Sequence, residues 1–234
     1  MALRPARSVL TLEGATFGAQ PLSFNTAALD LDLPRGEVAV VHVDDDDDAI
    51  ALVDLCSGLA APASGHVRFL GVDWATRTPH ERLRRRRRIG AVVQTEIWPS
   101  HMTIMDSILL ARLYHYDRSR EEAVADATAL ARLFGLPGLP TDRRELLPVQ
   151  ALVRAACVRG FIGSPDLVMV HDALLDRMSE LAVPMAQAIG AARRRGGAVL
   201  WVTASDVSRA AEFIEPDHVL RLGDHGLVRV RRAW

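Results

Sequence analysis

The spacing of apolar residues changes period several times along the chain. Over residues 8–33 apolar and polar positions alternate, with Val9, Leu10 and Leu12 followed by Ala28, Leu29, Leu31 and Leu33. That period predicts antiparallel strands with one buried face, and Phe17 reads as a core residue beside them. Pro34-Arg35-Gly36 predicts a turn into Val38–Val43, a short run of mostly β-branched residues that suits a buried strand. From Ala49 to Leu59 the period switches to i, i+3, i+4, i+7 through Leu52, Leu55, Cys56 and Leu59, which predicts a helix. A strand and turn follow at 66–74, a helical turn near 78–83, and a strand over Ile89–Val93. Met105–Tyr116 and Glu121–Phe134 carry strong helical period, and the glycines and prolines of 135–140 end the second helix. Leu167–Val170 and Ala198–Thr203 read as buried strands, and 218–230 as a hairpin around Gly223–Gly226. The chain is therefore of α/β class, and its 234 residues suit one domain with a small helical insert.

Five consecutive aspartates, Asp44–Asp48, fill the turn between the Val38–Val43 strand and the following helix. Strand, tight turn and helix is the architecture of a phosphate-binding P-loop. There glycines let backbone N–H groups approach the phosphates, a lysine reaches them, and a Ser or Thr holds magnesium. Carboxylates reverse that chemistry. At about 5 Å and an effective dielectric near 20, each carboxylate–phosphate pair costs on the order of 3 kcal/mol. The same residues also suit a helix N-terminus, where carboxylates accept from exposed N–H groups. The two readings are compatible: one aspartate carboxylate can occupy the anion site that a phosphate would fill.

Charge is close to balanced, with a formal net of −1, so nothing pulls the whole chain toward nucleic acid. The charge is patchy, with arginines at 84–88 and 193–195 besides the aspartates. The first arginine run suits a solvated helix face, anionic lipid headgroups or an acidic neighbour such as Asp44–Asp48. The two cysteines, Cys56 and Cys157, lie in apolar helical patterns and read as reduced core residues. His101, His115 and Tyr116 have no metal-ligand spacing, and no metal site is expected. The N-terminal MALRPARSVL is too short for a signal peptide, and no apolar run approaches the ~20 residues that span a bilayer.

Six landmarks in order carry a resemblance. They are Gly58-Leu59 with Pro62-Ala63-Ser64-Gly65, the basic run leading through Ile89-Gly90 to Gln94, the helical insert, Arg154–Pro165 (RAACVRGFIGSP), the Leu167–Val170 strand with His171-Asp172-Ala173, and the Ala198–Thr203 strand. Over roughly residues 8–230 they resemble the ATP-binding subunits of ABC transporters, as a degenerate member. The resemblance implies a P-loop NTPase-like ABC ATPase fold with an N-terminal antiparallel β-subdomain. It implies a core made of 1–94 and 146–234, and a helical subdomain over 95–145 that docks the transporter's membrane subunit. The wording of the insert, YHYDRSREEA followed by LFGLPG, is similar to the ATPase subunits of Mla/Mce-type lipid transporters.

Position by position, the resemblance implies lost chemistry on a retained scaffold. Counting back from Gly58 puts Val43 and Asp48 at the P-loop glycines, Asp44–Asp47 between them, Ala49 at the lysine and Ile50 at the magnesium-binding Ser/Thr. Ala19 falls at the adenine-stacking aromatic. Gln94 matches the Q-loop glutamine. Leu147-Pro148-Val149-Gln150-Ala151 stands where the family has LSGGQ, and Pro148 lacks a backbone donor. His171 replaces the magnesium-binding Asp, and magnesium prefers oxygen ligands. Asp172 is one methylene shorter than the catalytic Glu, and Ala204 replaces the switch histidine. The reading that follows is a catalytically inactive, structural or regulatory subunit of a bacterial ABC transport complex at the cytoplasmic face of the inner membrane. It would bind neither ATP nor magnesium, and would contact a permease through 95–145 and a second ATPase-like subunit. Two other readings stay open: a metal-dependent ATPase using Asp172 and the aspartate run, and an interaction module outside transport.

Overall fold

A computed structural model describes residues 7–18, 27–93, 98–114, 119–171, 179–205, 210 and 214–230. Strands β1 (Ser8–Thr16) and β2 (Leu29–Pro34) pair antiparallel, as the alternation predicts. With β4 (Ser64–Phe69) and β5 (Val72–Asp73) they form a four-stranded sheet in the order β2-β1-β4-β5. The second sheet has six strands in the order β10-β9-β3-β8-β7-β6. These are β3 (Val38–His42), β6 (Ile89–Val92), β7 (Leu167–His171), β8 (Ala198–Thr203), β9 (His218–Gly223) and β10 (Gly226–Arg229). All neighbours pair parallel except the terminal hairpin β9–β10.

The continuous apolar runs are explained by layers on both faces of this sheet. Val38, Val40, Val168, Val170, Val199 and Trp201 face one core, shared with helices α3 (Ile104–Tyr114), α4 (Arg120–Leu133), α5 (Val149–Phe161) and α6 (Ala182–Arg194). Ala39, Val41, Leu167, Met169, Leu200 and Val202 face the other core, shared with α1 (Asp46–Ser57) and the antiparallel sheet. Cys56 and Cys157 are buried as free thiols, one in each core, and burial pushes both up to about 12.

The basic run folds as the short helix α2 (Pro79–Arg86), opened by a Thr78–Glu81 capping box. Its described partners are not Asp44–Asp48. Arg86 donates to the Gly58 carbonyl (3.0 Å), and Arg88 makes a two-pronged bond to Asp166 (2.7 and 2.9 Å). Arg193, from the second run, bonds the Gly36 carbonyl and Asp217. The arginine runs thus serve in part as internal fasteners between elements. No helix among the described residues is long and apolar enough to cross a membrane.

Candidate functional site

Parallel strands put their C-terminal ends on one edge of the sheet, where ligands of open α/β folds bind. Here that edge gathers Val43 after β3, His171 ending β7, and Thr203-Ala204 at the end of β8. Register holds them together: His42 lies opposite Thr203, and His171 opposite Val202. The Val43 N–H donates to the Thr203 carbonyl (2.9 Å), tying the turn to the neighbouring strand. The positions aligned with the P-loop, the magnesium carboxylate and the switch are therefore neighbours. Gln94, Asp172 and Ala19 lie outside the described residues.

Helix α1 starts at Asp46, three residues before the Ala49 start that apolar period predicts. The aspartates cause the difference. Asp45 is the N-cap, and its Oδ1 accepts from the Asp48 N–H at 2.9 Å. Asp46, Asp47 and Asp48 fill the first turn, where carboxylates meet the positive end of the helix dipole. A carboxylate thus occupies part of the N-terminal anion site of the helix. We expect Asp45→Ala to cost about 1 kcal/mol of stability, read as a lower urea midpoint at unchanged slope.

The run does not act as one cluster. Asp44 bonds Arg221 of β9 (3.0 Å), Asp45 caps the helix, and Asp46 Oδ1 lies 3.1 Å from His171 Nε2. Asp48 is fully buried, as is Ala49 at the position aligned with the lysine. His171 is itself buried, with Asp46 half-exposed above it. Relative to the family pattern, acid has moved from the end of β7 to the turn after β3, and a histidine has taken its place. Arg221 and the His171–Asp46 pairing are absent from the sequence reading, because their partners are 177 and 125 residues away.

The segment aligned with the signature loop lies on another element. Pro148 is the N-cap of α5 and makes no side-chain cap bond. Leu146 and Val149 on either side are 74% and 55% exposed, so this helix start presents apolar side chains where the family presents glycine and serine.

Beside the site, between α1, α2 and the β6–β7 edge, runs a groove of about 510 Å³. Ile50, Val53, Leu59, Ile89 and Met169 make its apolar wall, with Asp54, Arg86 and His171 as its charged or titratable members. Partial burial raises the Asp54 carboxyl above its ordinary value. Asp54 is the residue that the sequence reading missed. Its signal was an acid set within Leu52-Val53-Asp54-Leu55-Cys56, an otherwise apolar stretch of helix.

No family model matches the chain. Among curated proteins it is similar to the nickel import ATP-binding protein NikE of Pseudomonas putida, 29% identical over 80% of this chain and 70% of that one. It is also similar to the sulfate/thiosulfate import ATP-binding protein CysA of Salmonella typhi, 30% identical over 62% of this chain and 39% of that one. Among solved structures it superposes on the ATP-binding cassette MJ0796 in a dimeric post-hydrolysis state bound to ADP and Pi. The TM-score is 0.80 at 18% identity, covering 96% of this chain and all of that one. A second ABC transporter ATP-binding subunit superposes with a TM-score of 0.76 at 17% identity, covering 95% of this chain and 90% of that one.

Fold and site together define an α/β cassette of the P-loop NTPase type, with the strand–turn–helix element at its centre. In sequence the chain resembles the ATP-binding proteins of ABC transporters, and it shares the fold of their cassettes.

One expectation falls here. The aspartate run predicts that ATP and magnesium are not bound, yet the relatives are named as ATP-binding proteins, and the MJ0796 cassette holds ADP and Pi. Repulsion of that size holds only if all five carboxylates face one ligand. In the structure Asp44, Asp45 and Asp46 each have a separate partner, so their charges do not converge on one ligand.

Proposed function

We propose that the chain is a subunit of a bacterial ABC transport complex that contacts nucleotide but does not cleave it, and that supports or regulates a membrane subunit. The observation that carries this reading is the His171–Asp46 pair at 3.1 Å. Hydrolysis in this fold needs a metal-positioning carboxylate at the end of β7 and a cationic side chain at the start of α1 to offset developing phosphate charge. A buried imidazole stands at the first position and a buried alanine at the second. The rival reading, a metal site built from the aspartate run, draws no support from a run whose members turn to different partners.

The docking surface for the membrane subunit is the apolar groove along α1 and β6, together with the exposed face of α3. Leu59 is 64% exposed at the groove, and Leu110 and Tyr114, one turn apart on α3, are 49% and 61% exposed. Exposed apolar side chains such as these mark interaction sites. The second ATPase-like subunit would meet the edge that holds Val43, His171 and Ala204. Association is peripheral, at the cytoplasmic face of the membrane. A lipid cargo follows only from the wording of residues 114–138; the named relatives import nickel and sulfate or thiosulfate.

The test is co-purification in mild detergent from the native host. A tagged chain should bring a multi-spanning membrane protein with it, and Leu59→Asp should cut that yield at least tenfold while circular dichroism stays unchanged. Recovery of the chain free of any membrane subunit would refute the transport reading.

A further inference from the structure

We infer that the arginines at the end of α2, together with Arg112 and Ser164, form a binding site for a terminal phosphate group, carried by a small molecule or a lipid headgroup. The site is separate from the strand–turn–helix edge and from the α1–β6 groove, and it does not depend on the docking role proposed above.

Arg88 immediately precedes β6 and Asp166 immediately precedes β7, and the Arg88 carbonyl accepts from the Asp166 N–H at 2.9 Å. Both lie at the N-terminal edge of the parallel strands. That edge is one strand length, about 15 Å, from the one that holds Val43 and His171. Two adjoining depressions open there, of about 280 and 270 Å³, and Arg87 and Arg88 line both. Arg84 and Arg85 line the first, and Arg112 lines the second.

The acids of these walls are Glu81 and Asp166, and both are engaged. Glu81 closes the capping box with Thr78. Asp166 accepts from Arg88 (2.7 and 2.9 Å) and from Arg35 (3.2 Å). Asp126, on α4, accepts from the Gly163 N–H at 3.0 Å. Positive charge stays in excess across the two depressions. Burial first, then the charges of Arg77 and Arg88, lower the Arg85 guanidinium below its ordinary range, with Glu81 acting the other way.

The fold places the remaining donors. The Arg112 guanidinium occupies the space where a Cβ on residue 163 would stand, so glycine there lets α3 deliver this cation to the loop after α5. Ser164, exposed at φ 58°, adds a hydroxyl to the same depression. Donors thus reach one concave space from α2, α3 and the α5–β7 loop. Guanidinium forks match carboxylate and phosphate oxygens alike. A carboxylate offers two oxygens in one plane. A terminal phosphate offers three that point apart, at a charge of about −1.5 to −2. Donors approaching from three elements suit the phosphate.

The experiment titrates the full chain, at low salt and without magnesium, with pyrophosphate and with citrate as a polycarboxylate control. In parallel the chain is sedimented with vesicles containing phosphatidic acid or, as control, phosphatidylserine, whose phosphate is not terminal. The phosphate probe should bind at least tenfold tighter than its control. Arg87→Lys keeps the charge but loses the fork, and should weaken binding about fivefold. Arg112→Gln should weaken it about tenfold. Ser164→Gly should weaken it about threefold while Tm without ligand holds or rises, because glycine suits φ 58°. That variant keeps the test decisive if an arginine variant does not fold. Variant-sensitive binding of pyrophosphate alone would uphold the site with a soluble ligand, and of phosphatidic acid alone would uphold it with a lipid. Controls bound as tightly as the phosphate probes, phosphate binding unchanged in all three variants, or no binding of either probe would overturn the inference.

Discussion

Gly90→Ala is expected to destabilise the chain by about 3 kcal/mol or more, enough to abolish soluble expression or lower Tm by many degrees. Gly90 is the second residue of β6, buried at the sheet edge where α5 crosses. A Cβ there would fall far inside the van der Waals contact distance of the Gly160 carbonyl oxygen on α5. Gly160 in turn lies against Val92, so the two glycines form one close crossing of strand and helix. The nearest obstacle is the Gly160 backbone, which cannot swing away as a side chain could. The strand would have to leave the helix, opening the core that Val92 shares with Phe161 and Trp98. Gly138→Ala is the control: nothing lies within 4 Å of a Cβ at that position, and its effect should stay within about 0.5 kcal/mol. Thermal melts of the two variants beside the parent check the contrast. Equal behaviour would show that the crossing is looser than its geometry indicates.

His171→Asp is the second large effect, and its sign is counterintuitive. It restores the acid that the family carries at the end of β7, yet it should destabilise this chain. The new carboxylate would be buried near Asp46, whose Oδ1 now accepts from the imidazole Nε2 at 3.1 Å. At about 4 Å and an effective dielectric near 20, like charges repel by about 4 kcal/mol, and the half-exposure of Asp46 reduces this to about 2 kcal/mol. The deficit should shrink as pH falls far enough to protonate one carboxylate. Asp46→Ser in the same chain should recover most of the loss, giving a coupling energy of at least about 1 kcal/mol in a double-mutant cycle. Additive effects would mean that the two side chains are neighbours without energetic consequence.

That cycle also bears on how much of the molecule can be read from its residues. Local period was enough for most strands and for α1, α3 and α4, because two-sided burial forces continuous apolar runs and one-sided burial forces alternation; it did not single out α5 or α6. The boundary of α1 was misplaced by three residues because apolar spacing is silent about polar first turns, which Asp45 and the acids after it determine. The aspartate run showed only that the ordinary phosphate contacts had changed. It could not show that Asp44 turns to Arg221 and Asp46 to His171, since those bonds join β3's turn to strands far along the chain. The mistaken exclusion of nucleotide has the same origin: charges counted along a sequence were summed as if they converged in space. Asp54 was passed over because one acid in a helical pattern looks like a solvent position. Its place in the groove depends on β6, β7 and α2 arriving beside it.

The central claim is that this cassette contacts nucleotide without cleaving it. The direct measurement incubates the purified full chain with magnesium and γ-labelled ATP, separates the protein by rapid gel filtration and identifies the nucleotide that travels with it. The account predicts that bound label remains ATP after an hour, with phosphate release no greater than a protein-free blank. Bound ADP accumulating with magnesium-dependent phosphate release, and both disappearing in Asp172→Asn, would contradict it.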